Sequence, residues 1–213
     1  MAIMQVFTRV TCFLVVALGA VIPVLAQSPG QPGQFDYYLL TLSWTPEFCH
    51  GHASNAECSE HRGFMVHGLW PQYKDGTWPA NCTTTQAVPT DTSPVANIMP
   101  QDIIPHEWEK HGTCSGLSGN DYFSLIRKVF ESIKIPDQFA SPSRSFTLHL
   151  SDLKKAFEQS NPSLADQDIA VQLNRKYLNA VEICLSKSDN PAPIACTGVK
   201  DVSGGTFIVP PVQ

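Results

Sequence analysis

Residues 64–71 read FMVHGLWP, an apolar run that carries a single histidine, His67, and stops at Pro71. Branched and aromatic side chains bounded by glycine and proline predict a short, buried strand over 63–69. Upstream, residues 35–44 are rich in aromatic and branched side chains and predict a second strand. Residues 45–61 between the two are expected to be a loop. Downstream, 71–102 is dense in Pro, Thr, Asn and Asp and also reads as loop. A short helix follows over 105–111, with Pro105 in its first turn and Gly112 just past its end. Residues 120–134 predict the clearest helix, because Tyr122, Ile126, Val129, Phe130 and Ile133 fall on one face. Further helices are expected over 151–159 and 163–173, and strands over 177–186, 194–197 and 206–209. Helices and strands alternate without a βαβ rhythm. The expected fold is therefore α+β: a central, mostly antiparallel sheet with several packed helices.

The 213 residues suit one domain, and 43% hydrophobic content supports a packed core. Charged residues, at 15%, are too few for a coiled coil or a charge-laced helical array. The net charge of −5 excludes a protein that coats nucleic acid by electrostatic attraction. It leaves room for an enzyme that acts on nucleic acid and releases it.

Residues 1–26 read as a signal peptide: Arg9, an apolar run from Val10, then Val24-Leu25-Ala26 as a cleavage site before Gln27. The run is shorter than a membrane span, and Pro23 interrupts it. The mature protein is expected to be secreted or periplasmic, with no membrane segment. Residues 27–34 read as a flexible linker and 35–213 as the domain. Cys12 would leave with the signal. Six cysteines remain, Cys49, Cys58, Cys82, Cys114, Cys184 and Cys196, an even count that reads as disulfides in an exported chain. Many pairings are open. Sequence proximity favours Cys49–Cys58 and Cys184–Cys196, which leaves Cys82–Cys114. No C-x2-C spacing supports a zinc site.

Residues 106–114 read HEWEKHGTC. At about 100° per residue, Lys110, Glu107 and His111 stand roughly 40°, 100° and 140° from His106 on a helix. Four titratable groups then share one arc, with a cysteine just beyond. A zinc-protease H-E-x-x-H motif needs histidines at i and i+4. Here the second histidine is at i+5 and Lys110 occupies the ligand position, so that reading fails. His50, His52 and His61 form a looser group in the first loop, where surface histidines are the default.

The two segments, FMVHGLWP and HEWEKHGTC, resemble the paired active-site signatures of the ribonuclease T2 family, in the right order and spacing. LTLSWTPEFC (40–49) is similar to the first strand of the family's bacterial ribonuclease I branch. WPANC (78–82) matches a cysteine that pairs, in the family, with the one ending the second motif. The resemblance implies an α+β fold and an endoribonuclease without metal or other cofactor. It would act on single-stranded RNA, through a 2′,3′-cyclic phosphate, and not on DNA. His67 and His111 match the acid and base, with His111 as base in the first step. Lys110 would stabilise transition-state charge, Glu107 would hold its neighbours, and His106 would bind phosphate. Trp70 and Trp78 match the walls of a base pocket. Gln72 is its polar group, and Ser43 stands in a second pocket where relatives carry Gln. These changes imply low base specificity. The expected protein is a monomer. The family also contains inactive RNA-binding or storage relatives, which typically lose a catalytic histidine; both are present here.

Overall fold

The computed structural model describes residues 30–83 and 85–212. The expected signal segment and residues 27–29 lie outside the described residues. Four α-helices and six strands form the frame: β1 (Tyr37–Trp44), α1 (Thr45–Gly51), β2 (Phe64–Gln72), α2 (Ile104–Lys110), α3 (Gly119–Glu131), β3 (Phe146–His149), α4 (Leu150–Ser160), β4 (Ile169–Asn174), β5 (Tyr177–Ser186) and β6 (Thr206–Val209). The sheet runs β2-β1-β5-β6-β3, with β4 also paired to β5. Every pairing is antiparallel except the short β5–β6 contact at Tyr177 and Ile208. This is the α+β architecture that the sequence predicts.

Alternation along β1 divides the sheet into two faces. Tyr38, Leu40, Leu42 and Trp44 enter the main core, where α3 adds Tyr122, Phe123, Ile126 and Val129 and α4 adds Leu153 and Phe157. Each such side chain, fully buried, contributes about 1.5–3 kcal/mol. Tyr37 and Leu39 point the other way and pack with Trp70 and Cys184 in a smaller cluster. That second face carries the site. β2 is an edge strand, and α2 stands beside it: Trp108 enters the main core while its neighbour Glu107 is buried toward His67.

Three disulfides join Cys49 to Cys58, Cys82 to Cys114, and Cys184 to Cys196. These are the pairings that proximity and the resemblance favour.

Several elements differ from the expectation. Residues 163–173 are not a helix. A single 3-10 turn at Asp166–Asp168 leads into β4, which forms a hairpin with β5. Ile169, Ala170 and Val171 are buried as a strand against β5, and that pairing overrides the helix-like spacing. Residues 194–197 form no strand: Pro193 bridges Leu185, and the disulfide ties Cys196 to Cys184. The 45–61 loop contains α1 and a 3-10 turn at Ala56–Glu60, capped by the Asn55 side chain on Glu57 N–H at 3.0 Å. The end of the expected linker is seated on the domain. Gly30 N–H donates to Ala80 O, Gly33 N–H donates to Cys114 O, and Lys187 Nζ donates to Gly33 O at 2.6 Å.

Candidate active site

His67 owes its position to a β-bulge. Leu42 pairs with Val66 and Thr41 with Gly68, so His67 has no partner on β1. An unpaired extra residue bends the strand and re-aims its side chain. Beside it, Gly68 is obligatory: a Cβ there would collide with Trp70 Nε1 and with a Glu107 carboxylate oxygen.

Glu107 is the hub. Its residue is only 1% exposed. One carboxylate oxygen accepts the Trp70 indole N–H at 2.6 Å, and the other lies 3.4 Å from His67 Nε2. The second ring nitrogen of His67, Nδ1, lies 3.1 Å from Ser43 Oγ. Both nitrogens are therefore engaged, and a protonated His67 makes an ion pair with Glu107. Burial pushes the Glu107 carboxyl up. The hydrogen bond from His67, the electrostatic pull of the two imidazoles and the hydrogen bond from Trp70 outweigh it, and hold the group below its ordinary value.

His111 sits just past the end of α2, its backbone N–H bonded to Glu107 O at 3.0 Å. The imidazole stacks on Trp70, with centroids 5.0 Å apart and planes at 26°. Trp70 in turn meets the His67 ring edge-on at 5.4 Å. The Trp70 indole thus separates two histidines and braces the carboxylate between them. His111 Nδ1 is buried without a hydrogen-bond partner among the described residues. Burial pushes the imidazole down from 6.5 to about 4; Glu107 opposes the shift, while Lys110, His106 and His67 reinforce it. Near neutral pH His111 is a neutral base.

The single arc of four groups breaks up, because α2 ends at Lys110 and His111 lies beyond it. Glu107 and His111 are buried, His106 is exposed and Lys110 half-buried. The two cations still act on His111 through their charge. Trp78 is the exposed large aromatic among the described residues, at 43%, in the loop that Cys82–Cys114 ties to the 3-10 turn after α2. Gln72 is buried at the end of β2. Two carboxyls missing from the sequence reading also feel the charge of His67. Burial, and then Asp102, push Glu57 up against His67; burial raises Glu182, which accepts from Gln172 Nε2 at 2.8 Å. Sheet register brings Glu182 opposite Thr41, two residues from Ser43. No periodicity within one segment signals that. Among the described residues no group of three or more His, Cys, Asp or Glu could hold a metal ion, and no helix is long and apolar enough to cross a membrane.

A buried carboxylate that faces one histidine, with a second histidine held neutral across the Trp70 indole, is an arrangement that could exchange protons with a ligand. The ribonuclease T2 family model matches residues 35–196, and the chain belongs to that family of cyclising endoribonucleases. It is 34% identical over 181 residues to a ribonuclease of Aeromonas hydrophila, covering 80% of each chain. A probable ribonuclease of Haemophilus influenzae is 33% identical over 162 residues, covering 67% of this chain and 57% of that one. Among solved structures, ribonuclease MC1 from bitter gourd seeds superposes with a TM-score of 0.59 at 24% identity, covering 81% of this chain and 99% of that one. An RNase-related protein from Calystegia sepium gives 0.58 at 22% identity, over 84% and 98%. These two show the shared fold.

Proposed function

We propose that the chain is an extracytoplasmic endoribonuclease that cuts single-stranded RNA without a metal, by transphosphorylation through a 2′,3′-cyclic phosphate, and with low base specificity. The observation that carries this reading is the contrast between the two histidines. His111 is held neutral by its burial, and His67 faces a carboxylate. One can take a proton while the other gives one.

In the first step His111 takes the proton of the ribose 2′-OH as the oxygen attacks phosphorus. His67 gives its proton to the departing 5′-oxygen. In hydrolysis of the cyclic ester the roles reverse. Glu107 balances the charge of whichever imidazole is protonated, and Trp70 fixes the carboxylate. Lys110 stabilises the negative phosphorane, and His106 binds phosphate at the exposed rim. DNA lacks the attacking hydroxyl and is not a substrate. Trp78 offers an exposed ring on which any base can stack, with discrimination left to Gln72 and the short Ser43 side chain. Three disulfides and the apolar leader support an oxidising compartment outside the cytoplasm. The protein acts as a monomer.

The test is incubation of purified protein with RNA and with DNA in excess chelator, followed by analysis of product ends. RNA fragments ending in 2′,3′-cyclic phosphate and intact DNA are expected. Products with 5′-phosphates, a strict metal requirement, or RNA bound but never cut overturn the reading.

A further inference from the structure

Behind α1, at the end of β1, lies a cavity of about 550 Å³ that the catalytic scheme does not use. Its volume falls within the range of small-ligand sites. Thr45 lines it, only two residues from Ser43, the contact of His67 Nδ1. Two residues span at most about 7 Å. One wall residue of the cavity therefore lies within about 7 Å of Ser43, the contact of His67.

Its lining is chemically distinct from the rest of this acidic chain. Arg62, His50 and His61 supply donors. The Arg62 guanidinium is held in place, Nε donating to Glu60 at 2.7 Å and Nη1 to Asn97 O at 2.8 Å. Its Nη2 has no partner among the described residues. The one carboxylate in the lining, Glu47, accepts from Asn174 Nδ2 at 2.7 Å. The lining also holds Tyr177 and two consecutive prolines, Pro210 and Pro211, with Lys176 Nζ 5.5 Å from the Tyr177 ring centroid. Thr45 itself is 2% exposed, and its hydroxyl is turned toward the Glu57 carboxyl. A fixed guanidinium, two imidazoles and an aromatic ring suit a ligand that joins a phosphate to a planar ring.

We propose that this cavity is a distal nucleotide subsite, which takes one further nucleotide of the bound strand beyond the scissile pair. Its phosphate meets Arg62, His50 and His61. Its base lies against Tyr177 and the prolines. The Cys49–Cys58 disulfide, which also lines the cavity, keeps the wall in place. The proposal rests on the RNA-cleaving reading above, and adds to it a dependence on substrate length.

The experiment compares RNA oligomers of two to six nucleotides, all of one sequence, as substrates of the wild type, Arg62→Gln and the double variant H50Q/H61N. Asparagine is chosen because His61 has a φ of 50°, a left-handed conformation that Asn tolerates. In the wild type kcat/KM is expected to rise about 10-fold, through KM, once the oligomer is long enough to enter the cavity. Both variants should keep the dinucleotide rate and lose most of that rise. A rise that survives in both variants, or no rise with length in the wild type, overturns the subsite. If the wild type fails to cut even the longest oligomer, the catalytic reading fails instead. Binding of an uncleavable 2′-O-methyl hexamer then still reads the subsite: weaker binding by the variants supports it, and equal binding refutes it.

Discussion

Protonation of His111 should weaken the fold, by an amount that follows from its burial. In the folded protein the imidazole is pushed down to about 4, and an unfolded chain returns it to its ordinary 6.5. Between these values the unfolded state binds the proton and the folded state resists it. Stability is therefore highest above pH 6.5 and falls as the pH drops toward 4. At pH 4 the unfolded imidazole is almost fully charged and the folded one half charged, which costs about 3 kcal/mol of stability. The perturbation that isolates this term is His111→Asn, which removes the titrating ring and leaves the carboxylates that titrate in the same range. Urea unfolding with disulfides intact, at pH 7 and pH 4, gives the comparison. Wild type should lose about 3 kcal/mol more than the variant between the two pH values. Equal losses, or an NMR titration that places His111 near its ordinary value, would refute the reasoning. The same value implies that kcat/KM holds up in mild acid and falls only near pH 4, where the base becomes charged.

His67→Ala and His111→Ala should each lower kcat by about 10²–10⁴-fold while the circular dichroism spectrum stays native, whereas His106→Ala should act partly on KM. Gly68→Ala forces a methyl group against Trp70 and Glu107; a loss of about 1–3 kcal/mol in urea unfolding, with a fall in kcat, is expected. Trp78→Ala, at an exposed ring, should slow all sixteen dinucleoside phosphates together and leave stability unchanged; slowing of one base class alone would contradict a stacking role.

The amphipathic helix α3 was legible in the sequence because its apolar period comes from one segment meeting one core. Cys49–Cys58 and Cys184–Cys196 were legible because close neighbours in sequence have few places to go, and Cys82–Cys114, 32 residues apart, as the remaining pair and through the family resemblance. β4 was not, since Ala165, Ile169 and Leu173 have helical spacing, while Ile169, Val171 and Leu173 have strand spacing. Pairing with β5, through a turn with Arg175 at φ 56°, decides between them. β3 is four residues with only Phe146 and Leu148 half-buried, too short for a period to stand out. In the site, residue types were legible and their arrangement was not. Trp70, read as a base wall, also clamps Glu107 and stacks on His111. Ser43 contacts His67 because two strands align, a fact that neither strand records alone.

The bulge at His67 has a consequence for how such an enzyme can arise and be lost. Val66 faces the core opposite Leu42, and Gly68 falls opposite Thr41 on the other face. That alternation is already complete without the residue between them. Removing His67 by a single codon deletion would restore an uninterrupted β1–β2 ladder. The architecture would survive and the proton donor would vanish. In the proposed scheme the proton donor is supernumerary to the fold, so an inert descendant lies one in-frame deletion away, and a change of the opposite kind could supply the imidazole to an inert sheet.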